Sequence, residues 1–132
     1  MTEREALKTI ENGKYMDIQL IDYSELPKGF YYPESLLKVL RLNLVDFELW
    51  YIMKSNDIQQ RIKGMQVRYP NRILIPFARR GDNDDVACFE LNKGEEVQII
   101  HDFASSGYEQ RNTYKSFWDW FRYAIEEMIN FD

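Results

Sequence analysis

The sequence predicts an α+β fold, in which a central, mostly antiparallel sheet packs against N-terminal helices and one C-terminal helix. Three observations carry that expectation. Leu36, Leu37, Leu40 and Leu44 recur at helical spacing in the first half of the chain. Three β-rich segments then follow one another between residues 73 and 103, joined by connections too short for a parallel crossover. The chain closes on an amphipathic stretch that begins at Phe117. Helices first, a meander in the middle and a helix last is an α+β order.

Each element has a local reason. Thr2 followed three residues later by Glu5 is a capping box, so a short helix through Ala6, Leu7 and Ile10 is expected, stopped by Gly13. Met16, Ile18 and Leu20 alternate with Asp17 and Gln19 as in a short strand. Leu26-Pro27-Lys28-Gly29 reads as a turn. Pro33 suits the first position of the leucine helix, where its missing N–H costs nothing. Phe47 to Met53 is aromatic and β-branched enough for one strand. Ser55 is placed to cap the next helix, with Ile58, Ile62 and Met65 as its buried stripe and Gly64 near its end. Tyr69-Pro70-Asn71 breaks the chain.

The strands are expected at Ile73–Ala78, Val86–Leu91 and Val97–Phe103. Asn92-Lys93-Gly94-Glu95 is a hairpin turn between the second and third. Residues 79–85 form a charged loop between the first and second. Pro76 lies inside the first strand and cannot donate to a ladder, so it marks an edge or a bulge. Ser116 is the expected N-cap of the last helix, with Asp119 in its first turn. Phe117, Phe121, Ala124 and Met128 share one face, widened by Trp118, Ile125 and Ile129.

The 132 residues suit one domain over 1–132, and 45% hydrophobic with 30% charged residues is an ordinary globular composition that builds a core without disulfide or metal. Aromatics reach 15%, which points to some rings on a recognition surface. Seventeen basic against 22 acidic residues leave a net charge of −5, which argues against direct nucleic-acid binding and favours basic partners. The single Cys88 excludes an internal disulfide and a cysteine metal cluster, and reads as a small buried apolar residue. The N-terminus is charged from its third residue, and no apolar run reaches the roughly 18–20 residues that span a bilayer. The cytoplasm is the expected location, with no membrane association.

Few residues invite chemistry. His101 precedes Asp102, but neighbours on a strand point to opposite faces, so the two do not form a dyad locally. A partly buried histidine at a strand end, bonded to backbone, is expected instead. Ser105-Ser106-Gly107 lacks the flanking glycine of a nucleophile elbow and reads as a turn. Asp82-Asn83-Asp84-Asp85 lacks the alternation and distal Glu of a calcium loop. Arg79 and Arg80 are expected to pair with these aspartates. In Trp118-Asp119-Trp120-Phe121, successive side chains diverge by about 100°, so Trp120 is either a rim residue shielding the core or an aromatic contact for a partner. No acid, base and oxyanion site assemble, so no catalytic residue, metal or cofactor is expected. A binding domain is the reading.

Tyr69-Pro70-Asn71-Arg72, Ile75-Pro76-Phe77-Ala78-Arg79-Arg80 and Asp82-Asn83-Asp84-Asp85-Val86-Ala87-Cys88-Phe89 are then followed by Ile99-Ile100-His101-Asp102-Phe103-Ala104-Ser105, by Tyr108-Glu109-Gln110-Arg111 read as a turn, and by Ser116-Phe117-Trp118-Asp119-Trp120-Phe121. In this order the segments resemble the SUKH superfamily, which includes bacterial immunity proteins and relatives of fungal cell-wall-assembly regulators. The resemblance covers about residues 47–132. Before it, Arg41-Leu42-Asn43-Leu44-Val45-Asp46 stands where the family carries a Gly-rich turn.

The resemblance implies a non-catalytic immunity protein that occludes a cognate toxin, and many such toxins are basic nucleases. Chemistry and loop position, rather than the family, nominate the contacts: Asp82, Asp84 and Asp85 on the acidic turn, Tyr108 and Glu109 on the later loop, and Trp120. Two alternatives stand beside this. One is a regulatory or scaffolding module of the same fold; the other is a small-molecule-binding or hydrolytic protein centred on His101. Either a monomer or a homodimer is compatible, the dimer using an unpaired edge near Pro76.

Overall fold

A computed structural model describes residues 25–131. The expected helix through Ala6, Leu7 and Ile10 and the strand from Met16 to Leu20 lie outside them. Within them run α1 (Glu34–Arg41), β1 (Asp46–Phe47), β2 (Trp50–Ile52), α2 (Ser55–Arg68), β3 (Leu74–Arg80), β4 (Asp85–Glu90), β5 (Val97–His101), β6 (Gln110–Tyr114) and α3 (Phe117–Asn130). The six strands form one sheet in chain order, every neighbour antiparallel, so the α+β expectation holds. Among the described residues no helix is long and apolar enough to cross a membrane.

Several local expectations shift. Phe47 to Met53 is not one strand but a tight hairpin, because Glu48 adopts a positive φ of 70° and donates its N–H to Asp46 Oδ1 at 3.0 Å. Pro33 is the N-cap of α1 rather than its first residue, and its carbonyl accepts from the Leu36 and Leu37 N–H groups. Ser55 opens α2 and does not cap it; Lys54 holds the cap position without a side-chain bond. Gly64 lies about one turn before the end of that helix, as expected. Residues 110–114, read as part of a turn and its exit, form the edge strand β6.

Pro76 sits in an interior strand, where the pairing of β3 with β4 slips between Pro76 and Ala78. It marks a bulge, which removes the need for the N–H it lacks. Among the described residues the edges of the sheet are β1 and β6, so β3 is not an edge strand, although β2 pairs only with Ala78, Arg79 and Arg80 of it. The hairpin after β4 turns as expected, with Asn92 and Gly94 both at positive φ.

Cross-strand partners share a face of a sheet. Tyr51, Arg79, Val86 and Ile100 are linked by register, so they lie on one face. Their neighbours Trp50, Arg80, Asp85 and His101 lie on the other. Trp50 and Arg80 both bond Glu127 of α3, which places α3 on that second face. Arg79 borders a groove with α2 residues, which places α2 on the first.

The Ser116 hydroxyl caps α3, accepting from the Asp119 N–H at 3.2 Å. The buried stripe is Phe117, Trp120 and Ala124, with Phe121, Ile125 and Met128 flanking it. Relative to expectation the helix is rotated toward Trp120 and away from Trp118 and Ile129, which are exposed. Trp120 is 0% exposed and meets the rings of Trp50 at 5.5 Å and Phe77 at 5.0 Å, both edge-on. It is therefore neither a rim residue nor a partner contact. Phe77 in turn stacks on Phe89 at 4.5 Å. A large share of the aromatic content is thus spent in the core, where Phe47, Trp50, Phe77, Phe89, Phe117 and Trp120 are all buried. Trp120→Ala is expected to lower the unfolding free energy by about 3–5 kcal/mol. Trp118→Ala, on the outer face, should cost about 1 kcal/mol or less. Guanidinium titrations of the two variants check this directly.

Candidate functional site

Antiparallel order brings three connections to one end of the sheet. They are the Glu48-Leu49 turn, the β3–β4 loop and the β5–β6 loop. The Gly81 N–H donates to the Leu49 carbonyl at 2.8 Å, and the Asp102 N–H to the Asp84 carbonyl at 3.0 Å, so the three are stitched together.

The β5–β6 loop is held from beneath by two carboxylates. Asp102 is 1% exposed. It accepts from Arg68 Nε and Nη2 at 2.7 Å each, from Arg61 Nη1 at 2.8 Å and from the Phe103 N–H at 2.9 Å. Burial pushes its carboxyl up, but the Arg68 and Arg61 hydrogen bonds outweigh burial and hold it below the ordinary value of 3.8. At the far end Glu109, also buried, accepts from Arg72 Nη1 at 2.9 Å and from the Gly107 N–H at 2.7 Å. Burial raises its carboxyl and Arg72 lowers it further, so the net shift is again downward. Tyr69 adds a third tie, its hydroxyl donating to the Ala104 carbonyl at 2.8 Å.

What the loop presents outward is aromatic. Tyr108 is 80% and Phe103 62% exposed. Phe103 has a φ of 69°, unusual for a bulky side chain. Such a conformation costs about 1–3 kcal/mol and persists only where its surroundings impose it; here the buried Asp102 on one side and the Ala104 N–H on the His101 carbonyl at 3.3 Å on the other do so.

The acidic turn is divided in its roles. Asp82 forms a bidentate pair with Arg80, Nε at 2.8 Å and Nη2 at 2.9 Å, which lowers its carboxyl pKa while leaving it half exposed. Asp85 pairs with its cross-strand neighbour His101, Oδ1 to Nδ1 at 2.9 Å. Asp84 is exposed, and its carboxylate has no partner among the described residues. Only one of the two arginines pairs as expected: Arg80 bonds Asp82 and Glu127, whereas Arg79 lies over the Tyr51 ring at 5.9 Å.

His101 and Asp102 do face opposite sides of the sheet. The histidine is partly buried at its strand end as expected, but it bonds the Asp85 carboxylate rather than backbone. Ser105 forms a turn closed by the Tyr108 N–H on its carbonyl at 2.9 Å. Cys88 is fully buried, and burial pushes its thiol well up.

Of the six residues nominated from the sequence, Asp82, Asp84 and Tyr108 therefore face solvent at this end. Asp85 is spent on His101, Glu109 on Arg72, and Trp120 lies in the core. The sequence places Phe103 at the end of a strand and not in a site. Its signal was present in the short polar run Ser105-Ser106-Gly107 behind it, which leaves a large ring at a loop entrance with no local partner.

Asp102→Asn should destabilise the fold by about 3–5 kcal/mol, because it leaves two largely buried guanidiniums facing an uncharged amide. The sign with pH follows from the lowered carboxyls. The unfolded chain binds more protons in the acid range, so the stabilisation is full above the ordinary carboxylate values and is lost as pH falls through them toward the lower folded ones. Unfolding measured from pH 7 to pH 3 should therefore show a steeper acid loss for the wild type than for Asp102→Asn.

Comparison of the chain with protein-family models, with curated proteins and with solved structures finds no match, so the reading of this site rests on its geometry.

Proposed function

We propose that this chain is a non-catalytic binding domain that engages a basic protein through the loop end of its sheet and acts by covering that partner. The SUKH resemblance makes the partner a cognate bacterial toxin. One observation carries the reading: Phe103 and Tyr108 stand outward on a loop whose two ends are anchored by buried ion pairs. Exposed rings on a fixed backbone are what a tight interface needs, because little conformational entropy is lost when they are covered.

Charge supports the same reading. Glu48, Asp82 and Asp84 are exposed at the same end of the sheet, and the whole chain carries −5. Such a rim speeds encounter with a basic surface, while the aromatic centre slows release. A nuclease cleft that expects phosphates would meet carboxylates instead.

The test uses the product of the open reading frame adjacent to this chain's own, titrated in a surface-binding experiment at several salt concentrations. Tyr108→Ala and Phe103→Ala should raise the dissociation rate about tenfold or more. Asp84→Lys should slow association and flatten its salt dependence. A partner whose rates ignore all three changes would contradict this placement of the interface.

A further inference from the structure

On the α2 side of the same sheet end lies an open groove of about 300 Å³, lined by Arg61, Gly64 and Arg68 of α2, by Arg79 of β3 and by Phe103. Asp57 and Gln60 complete its lining. In a chain of net charge −5 this is a local reversal of sign. Three guanidiniums face two carboxylates, Asp57 and the buried Asp102, leaving an excess of one positive charge.

The donors are not used up. Asp102 takes Nη1 of Arg61 and the Nε–Nη2 edge of Arg68. The remaining N–H groups of both arginines, and all of those of Arg79, have no hydrogen-bond partner among the described residues. Arg61 is held with its side chain only 14% exposed, so its position is fixed before any ligand arrives. A guanidinium's planar array of donors matches the oxygens of a phosphate.

An aromatic ring closes the groove on one side, its inner face covered by arginine and its outer face open. The Phe103 ring lies 4.2 Å from the Arg68 guanidinium and 5.6 Å from that of Arg61. It is 62% exposed in a conformation that its neighbours impose.

Gly64 is the third mark of a built site. A Cβ there would lie 2.8 Å from Arg68 Nη2 and 2.9 Å from Nη1. Arg68 cannot swing away without giving up its bidentate grip on Asp102. Glycine inside a helix costs about 1 kcal/mol relative to alanine, and at this position it keeps the guanidinium flat against the helix and the groove open.

We infer that this groove binds a small organic phosphate that carries a flat ring, its phosphoryl oxygens taken by Arg61, Arg68 and Arg79 and its ring laid on the outer, exposed face of Phe103. The inference is independent of partner binding, although Phe103 serves both surfaces.

Calorimetric titration of the purified chain with adenosine 5′-monophosphate, inorganic phosphate and adenosine separates the two halves of the site. The monophosphate should bind about tenfold or more tightly than either fragment. Arg79→Gln and Phe103→Ala should each weaken it by a similar factor while leaving the thermal unfolding midpoint within a few degrees of wild type. Gly64→Ala should weaken it through Arg68. Absence of binding by the monophosphate at millimolar concentration would overturn the inference. So would binding that Arg79→Gln does not change, or inorganic phosphate binding as tightly as the monophosphate.

Discussion

The carboxylate of Asp102 holds together parts of the molecule that nothing else joins so directly. Its residue directly follows β5, begins the β5–β6 loop, and takes both arginines that project from α2. Burying a carboxylate costs several kcal/mol unless its lone pairs are filled and opposite charge is close. Four donors fill them here: two from Arg68, one from Arg61 and the Phe103 N–H. The same contacts orient α2 against the sheet end, force Phe103 into its left-handed conformation and hold the guanidiniums at the groove wall. Removing one partner would leave the others desolvated, so the cluster acts as a unit.

The structure separates what stabilises from what recognises. On one face α3 seals an aromatic core in which Trp120, Trp50, Phe77 and Phe89 pack edge-on or stacked. Much of the hydrophobic stabilisation resides there, and Ile58, Met65, Val86 and Ile100 are buried on the α2 face. The β3–β4 and β5–β6 loops at one end of the sheet are fixed by ion pairs instead, while the Glu48-Leu49 turn between β1 and β2 buries Leu49. Arg79 and Arg80 show the division in two adjacent residues. Strand alternation sends Arg80 to the α3 face, where Glu127 and Asp82 hold it, and Arg79 to the α2 face, where it lies beside Tyr51 and the groove.

Features decided within a few residues were legible in the sequence. The Ser116 cap, the Pro76 bulge, the Asn92–Gly94 turn and the opposed orientation of His101 and Asp102 all follow from local stereochemistry. Features decided by distant partners were not. β6 was missed because Gln110 to Thr113 are all exposed on an edge strand and so carry no apolar alternation. The Phe47–Met53 segment was read as one strand because nothing in its composition shows the positive φ at Glu48. The outer face of α3 was misassigned because Phe117 and Ala124 fit a stripe with either Phe121 or Trp120 between them, and only the ring pocket formed by Trp50 and Phe77 selects the latter. The buried roles of Asp102, expected within the third strand, and of Glu109, expected as a partner contact, do not show in the sequence, since the arginines that bury them lie more than thirty residues away in the chain.

Amide hydrogen exchange in the β5–β6 loop, compared between wild type and Asp102→Asn, tests the organising role of this carboxylate most directly. The account expects the Phe103 and Gly107 amides to be protected in the wild type, and Phe103 to lose protection in the variant while the β3–β4 ladder keeps its own. Equal protection of the loop in both proteins would show that the loop is held by something else, and would contradict the account.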